Sequence, residues 1–183
     1  MMQIKACWPL VAIFFFMAPI AAQSVTKANQ NEPVIAGWLE SILLQPWQAE
    51  LRAKLDTGAK TSSLHALDIH YFKRDGHDWV SFHTEDKKDN ATLKPVELLV
   101  KRTVKIKSHH NDAAIRPVVE LHFCLNGDVY HGEFSLVDRS HFNYAVLLGR
   151  GVLKQGIIVD ASTTFILPID MRRCETLFEN GKQ

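Results

Sequence analysis

Residues 51 to 60 read "LRAKLDTGAK", an alternating run that stops at Asp56-Thr57-Gly58. Ala49, Leu51, Ala53 and Leu55 alternate with Glu50, Arg52 and Lys54, the period of two expected of a strand with one buried face. Asp, Thr and Gly are all turn formers, so the local reading is a strand that ends in a tight turn. The same spacing admits another reading, in which the strand delivers the Asp56 carboxylate to a fixed place. The rest of the chain has to decide between them.

The 183 residues are 46% hydrophobic and 22% charged, the composition of an ordinary globular protein with one good core. Lys plus Arg number 21 against 20 Asp plus Glu, so charge balance gives no reason to expect nucleic acid or an anionic membrane surface as partner. At the N-terminus, Lys5 precedes "ACWPLVAIFFFMAPIAA", which ends in small residues. This predicts a signal peptide over residues 1–22 with cleavage after Ala22. An uncleaved anchor is the alternative, because Ile20 is large for its place before the cut; the run is too short to favour a membrane span. The expectation is a periplasmic or secreted protein with no stable membrane association after cleavage. Cys7 would leave with the signal, and Cys124 and Cys174 would meet an oxidising compartment where a single disulfide could form. The sequence does not decide whether they pair.

Residues 23–33, "QSVTKANQNEP", are polar and predicted disordered, which starts the domain near Val34 and runs it over 34–183. Strand signals dominate from there. "VIAGWLESILL" and "AELRAKL" lead into the Asp-Thr-Gly turn, and "ALDIHYF" and "WVSFHTE" flank Asp75-Gly76 as a first hairpin. "VELLVKRTVKIKS" and "IRPVVELHFCL", either side of "HHNDAA", predict a second, long hairpin. Asn126-Gly127 then predicts a third, with Leu121, Phe123, Tyr130 and Phe134 on the buried face and Val129 on a mostly polar outer one. Only "RGVLKQ" suggests a short helix. The fold class is mainly β with little helix, a closed or partly closed barrel built from hairpins.

Residues 145 to 153 read "AVLLGRGVL": an apolar strand, then a glycine that would let another backbone segment pass close. Together with Leu55-Asp56-Thr57-Gly58-Ala59, this resembles the retropepsins, the retroviral aspartic protease family, in which an apolar-apolar-Gly-Arg segment cradles the Asp-Thr-Gly-Ala loop. "LDTGAKTSSLHA", "RTVKIKS", "IRPVVEL", "LVDRS", "LLGRGVL" and "IIVD" look like a bacterial retropepsin-like group often labelled ATP-dependent zinc proteases, across nearly the whole mature chain. The resemblance implies an aspartic endopeptidase acting on peptide or polypeptide substrates. Asp56 would be its catalytic acid, Thr57 would tie two loops across a dimer axis, and Gly58 would let substrate backbone approach. It further implies a hairpin flap around "KSHHNDAAIR" whose tip carries His109 and His110, with Ala59 beside substrate and with Gly149 and Arg150 supporting the loop. The hairpin at 66–85 and the loop after it would be an insertion of this branch. In retropepsins the arginine pairs with an acid just after Asp-Thr-Gly-Ala; here that position is Lys60.

Hydrolysis by this route needs two neighbouring carboxylates sharing a proton. One Asp-Thr-Gly per chain therefore predicts a homodimer, and no cofactor is called for. There is no His-Glu-x-x-His and no Walker-type glycine loop to support the label's zinc or ATP. The rival reading is a noncatalytic peptide-binding module of the same fold. A third concerns the Asn126-Gly127 hairpin, whose register sets His122 opposite His131 and Glu120 opposite Glu133 on one face with Cys124. A metal site there is conceivable, but a solvated outer face is the preferred account. Asn90-Ala91-Thr92 matches a glycosylation sequon, too common a pattern to carry a conclusion.

Overall fold

Leu51, Ala53 and Leu55 are buried while Glu50 is exposed, and this alternation is what makes residues Ala49–Leu55 a strand with one face in the core. The computed structural model describes residues 32–86, 91–107 and 113–180. The predicted signal peptide, the part of the 23–33 segment up to residue 31, Asn90 of the sequon, and His109 and His110 lie outside the described residues.

The first strands are β1 (Val34–Leu44), β2 (Ala49–Leu55) and β3 (Ser62–His65). The hairpin β4 (Leu67–Arg74) and β5 (His77–His83) follows, then the short pair β6 (Glu85–Asp86) and β7 (Ala91–Thr92), and β8 (Val96–Leu99). After these come β9 (Arg102–Lys107), β10 (Ala113–Leu125), β11 (Asp128–Val137) and β12 (Val146–Leu148). The chain ends with α1 (Arg150–Leu153), β13 (Ile157–Thr164) and α2 (Met171–Asn180). No helix among the described residues is long and apolar enough to cross a membrane.

Eight strands form one sheet in the order β13-β1-β2-β12-β3-β11-β10-β9, and β1 also pairs with β10 through Leu43 opposite Cys124 and Leu44 opposite Phe123. That short contact joins β1 to β10 and partly closes the sheet into a barrel, with β13 and β9 as flanking strands. Leu44, Leu51, Leu64, Phe123, Phe134, Leu136 and Leu148 fill its interior. Burial of such side chains contributes about 1.5–3 kcal/mol each. The mainly β, partly closed barrel with little helix agrees with the sequence reading.

Both short turns are as read. Asp75 and Gly76 take φ of 51° and 76°, Asn126 and Gly127 take 54° and 75°, the left-handed pair that a two-residue hairpin turn requires. The long hairpin departs from expectation at its first strand. β8 leaves it to pair with β5, Trp79 opposite Leu99, and the bond from Lys101 N–H to Val118 O marks where the chain crosses to the main sheet. Only Arg102–Lys107 then pairs with β10, from Val118 opposite Arg102 to Ala113 opposite Lys107.

A second departure is α2. Asp170 Oδ1 accepts from Arg173 N–H at 3.0 Å, capping the helix start. Cys174 and Phe178 turn onto Leu43 and Cys124 in a small apolar cluster of their own. Cys124 and Cys174 are disulfide-bonded, their Cα atoms 5.7 Å apart. Cys124, read as part of a polar outer face, is therefore buried beneath α2.

Candidate active site

The β2 strand ends one residue before Asp56, and its last residue, Leu55, lies beside Leu148 of β12 in parallel register. Asp56 N–H donates to Leu148 O at 2.8 Å, which extends the pairing into the turn. The carboxylate then folds back on its own loop: Oδ1 accepts from Gly58 N–H at 3.0 Å and Ala59 N–H at 3.2 Å. Two loop donors thus fix the side chain, while Thr57 and Gly58 are left exposed to solvent.

The Gly149-Arg150 segment braces this loop from behind. A Cβ on Gly149 would stand 2.6 Å from Thr61 O, so only glycine permits so close a passage of the two backbones. Gly149 N–H donates to Ser62 Oγ at 3.1 Å, and Arg150 and Gly151 N–H groups donate to Ala59 O and Lys60 O at 2.9 and 3.1 Å. Arg150 Nη1 donates to both Thr57 O and Gly58 O at 2.8 Å. With Lys60 in place of an acid, carbonyls of the Asp-Thr-Gly loop itself receive the guanidinium.

Electrostatics at the site are set by Lys54, which the sequence reading gave no role. Residues 54 and 56 are two apart on an extended chain and so project from the same face, a signal available in the spacing. Lys54 Nζ sits 3.2 Å from Asp56 Oδ2. Partial burial pushes the Asp56 carboxyl up, but the Lys54 hydrogen bond and charge, with the Gly58 and Ala59 N–H groups, outweigh it and hold the group below the usual carboxylate range.

Arg139, inside the quoted "LVDRS", also received no role. It is 7% exposed. Its Nη1 donates to Ser63 Oγ at 2.8 Å, its Nε to Tyr144 O at 3.2 Å and its backbone N–H to His65 Nδ1 at 2.9 Å. Burial lowers the Arg139 pKa, the charge of Arg116 adds to that, and the charge of Asp56 opposes it. The loop between β11 and β12 is thus pinned within electrostatic reach of Asp56. Its Phe142, 57% exposed, lies under the guanidinium of Arg139 at 4.5 Å.

The His122 face is a different matter. The registers Glu120 opposite Glu133 and His122 opposite His131 are as read, yet each glutamate has a cation: Lys101 Nζ at 2.7 Å from Glu120 and Arg102 Nη2 at 2.7 Å from Glu133. The Lys101 hydrogen bond holds Glu120 below its ordinary range, against partial burial. These pairs relieve the repulsion between the two facing glutamates, and no cluster of three or more potential ligands occurs among the described residues.

The barrel, the Asp-Thr-Gly turn and its Gly-Arg brace define a retropepsin-like protein. A family model described as the retropepsin-like aspartic endopeptidase RimB matches residues 35–169, and the chain belongs to this RimB-like family. A crystal structure of a Legionella pneumophila protein of unknown function is 32% identical, with a TM-score of 0.64 over 74% of this chain and 98% of that one. Sequence relatives include a probable alpha-L-glutamate ligase of Shewanella pealeana, 35% identical over 64% of this chain. Another of the same name from Desulfotalea psychrophila is 34% identical over 60%. The chain spans only about a quarter of the length of these ligases, 26% and 24%.

Proposed function

We propose that the chain is an exported aspartic endopeptidase, acting in the periplasm or outside the cell, whose active site forms when two copies bring their Asp56 carboxylates together. The observation that carries this is the fixed Asp56 at the end of β2, held by Gly58 and Ala59 N–H and braced through Arg150, beside exposed Thr57 and Gly58. In the dyad one carboxylate is ionised and takes a proton from water as the oxygen attacks the peptide carbonyl carbon. The protonated partner donates to the carbonyl oxygen, and collapse of the tetrahedral intermediate expels the amine with a proton from the dyad. The disulfide and the apolar run before Ala22 support export.

The relatives' name bears on the substrate. Relatives named as probable alpha-L-glutamate ligases make glutamyl peptides one substrate class for the peptide library to include. One observation favours the rival, noncatalytic peptide-binding module: Lys54, 3.2 Å from Asp56, stabilises the ionised form, whereas turnover needs a shared proton.

Cleavage of a denatured-protein or peptide library across pH by the natural chain and by Asp56→Asn separates the two. Turnover by the natural chain that Asp56→Asn abolishes, with folding intact, is the expected result. Equal cleavage by both would remove Asp56 from catalysis, and binding of peptides without cleavage at any pH would establish the rival.

A further inference from the structure

His65 on β3 is fully buried, and no step of the proposed hydrolysis uses it. Its Nδ1 accepts the Arg139 N–H at 2.9 Å, which assigns a lone pair to that nitrogen and the proton of the neutral ring to Nε2. Asp138 Oδ1 lies 3.8 Å from the same Nδ1, and Glu85 Oε2 of β6 lies 3.8 Å from Nε2. Both carboxylates stand outside hydrogen-bond distance, and a shift of about 1 Å would close either contact. Among the described residues, these two acids and Arg139 are the charged groups that face the imidazole. Hydrogen bonds from the Ser140 hydroxyl and N–H, with the charges of His65 and His141 behind them, hold Asp138 below the usual carboxylate range. It is therefore ionised wherever an imidazole titrates.

Protonation makes the two arrangements exclusive. An imidazolium carries N–H on both nitrogens, so Nδ1 can no longer accept from Arg139, and two donors would face each other. Asp138, the residue next to Arg139 in the chain, offers that same nitrogen an acceptor. A small slide of the β11–β12 loop exchanges one partner for the other, and Glu85 takes the second N–H.

The loop so governed reaches the catalytic end of the barrel. Along β3, Ser62 Oγ accepts from Gly149 N–H behind the Asp56 loop, Ser63 Oγ accepts from Arg139 Nη1, and His65 takes the Arg139 N–H. Further along, Phe142 lies under the Arg139 guanidinium and Tyr144 meets the Trp38 ring edge-on at 6.1 Å. Releasing the Arg139 backbone loosens this whole run, whose arginine feels the charge of Asp56.

We propose that His65 is a proton-operated latch on the β11–β12 loop: the neutral ring holds the loop through the Arg139 N–H, and the imidazolium releases it, pairs with Asp138 and Glu85, and weakens peptide binding beside Asp56. The latch stands on these contacts alone, while its effect on turnover rests on the endopeptidase reading above.

Nitrogen-15 NMR of the disulfide-bonded chain from about pH 5 to about pH 8 tests it. The His65 ring nitrogens report the Nε2–H tautomer at the upper end, and the Arg139 amide resonance shifts with the same midpoint as the ring. Asp138→Asn removes an anion that favours the imidazolium and moves both midpoints to lower pH together. His65→Asn places an oxygen near Nδ1 that accepts without titrating, so the Arg139 amide stays in place across the range, with thermal melting confirming the fold. Binding of a labelled peptide from the library to the Asp56→Asn chain, in which the dyad cannot titrate, weakens by about fivefold or more on the acid side of that midpoint. Adding His65→Asn removes the dependence. An Arg139 amide that ignores the His65 titration, or moves equally in His65→Asn, overturns the latch, as does an unchanged midpoint in Asp138→Asn. Peptide affinity indifferent to the titration overturns its coupling to the site. Failure of the endopeptidase reading is seen separately, as absence of cleavage by the natural chain at any pH while the Arg139 amide still titrates.

Discussion

Lys54 and Asp56 share one face of β2 and its extension, and their 3.2 Å contact makes a prediction about pH. The lysine lowers the Asp56 pKa, and the proposed dyad would work in the form that holds one proton, so Lys54 should displace activity toward acid. Replacing it with an uncharged chain of similar length, Lys54→Met, removes the hydrogen bond and the charge and raises the pKa. Both limbs of the pH–rate profile should then move toward neutral pH, with kcat at neutral pH increased. A profile that stays in place would mean that Lys54 leaves Asp56 when the second copy arrives. The same depression has a folding consequence of definite sign. The Lys54–Asp56 contact contributes stability above the unfolded carboxylate pKa of about 3.9 and loses it as pH falls through the lower folded value. Around it, Asp56-Thr57-Gly58 and Gly149-Arg150 were legible because each residue type answers a local need: a carboxylate, an open loop, a close backbone passage, a fork of donors. Lys54 and Arg139 were overlooked because an isolated cation in a strand or loop is indistinguishable in sequence from a solvated one, and only packing shows where its charge points.

At the scale of elements, legibility followed how local the determinant is. Asp75-Gly76 and Asn126-Gly127 fix their own φ angles and hence the registers of β4–β5 and β10–β11. The fate of β8 is nonlocal: nothing in "VELLVKRTVKIKS" says that Val96–Leu99 will choose β5 over β10, since both partners accept alternating apolar residues. The helix α2 escaped notice because "MRRCETLFEN" carries its apolar contact on little more than Cys174 and Phe178, too short a stripe to establish a helical period. Ten residues is also below the length at which isolated helices hold in water, about 12–15, so α2 depends on what it is fastened to. A disulfide across 50 residues restricts the unfolded chain, and its loss typically costs about 2–4 kcal/mol. Reduction, or Cys174→Ser, should lower the urea midpoint and release amide protons of α2 to faster hydrogen exchange, leaving exchange at β2 and β12 slower than at α2. Identical midpoints with and without reductant would show that the pair adds nothing to the fold.

For the whole molecule, the governing fact is that each chain carries a single Asp-Thr-Gly, while a proton-sharing dyad needs two such carboxylates. Separated chains each keep Asp56 ionised down to acid pH, because its pKa is depressed. Bringing two such groups together forces one to take a proton, so assembly becomes linked to the uptake of about one proton per dimer. Dimer dissociation constants should therefore rise with pH above the Asp56 pKa, by up to about tenfold per pH unit, and level off where Lys54 charges offset the repulsion sufficiently for both acids to stay ionised. In Asp56→Asn that linkage is gone. The variant should dimerise with an affinity nearly independent of pH from about 4 to about 8, so the natural chain is the weaker dimer near neutrality and the difference closes in acid. Sedimentation equilibrium of the two chains over that range, with and without a peptide carrying a tetrahedral hydroxyl mimic of the transition state, measures this. The mimic should tighten only the natural dimer, since it binds the shared proton. Parallel pH dependences in the two chains would show that the Asp56 carboxylates do not meet, and a strict monomer in every condition would leave the fold as a peptide-binding module with one solitary acid.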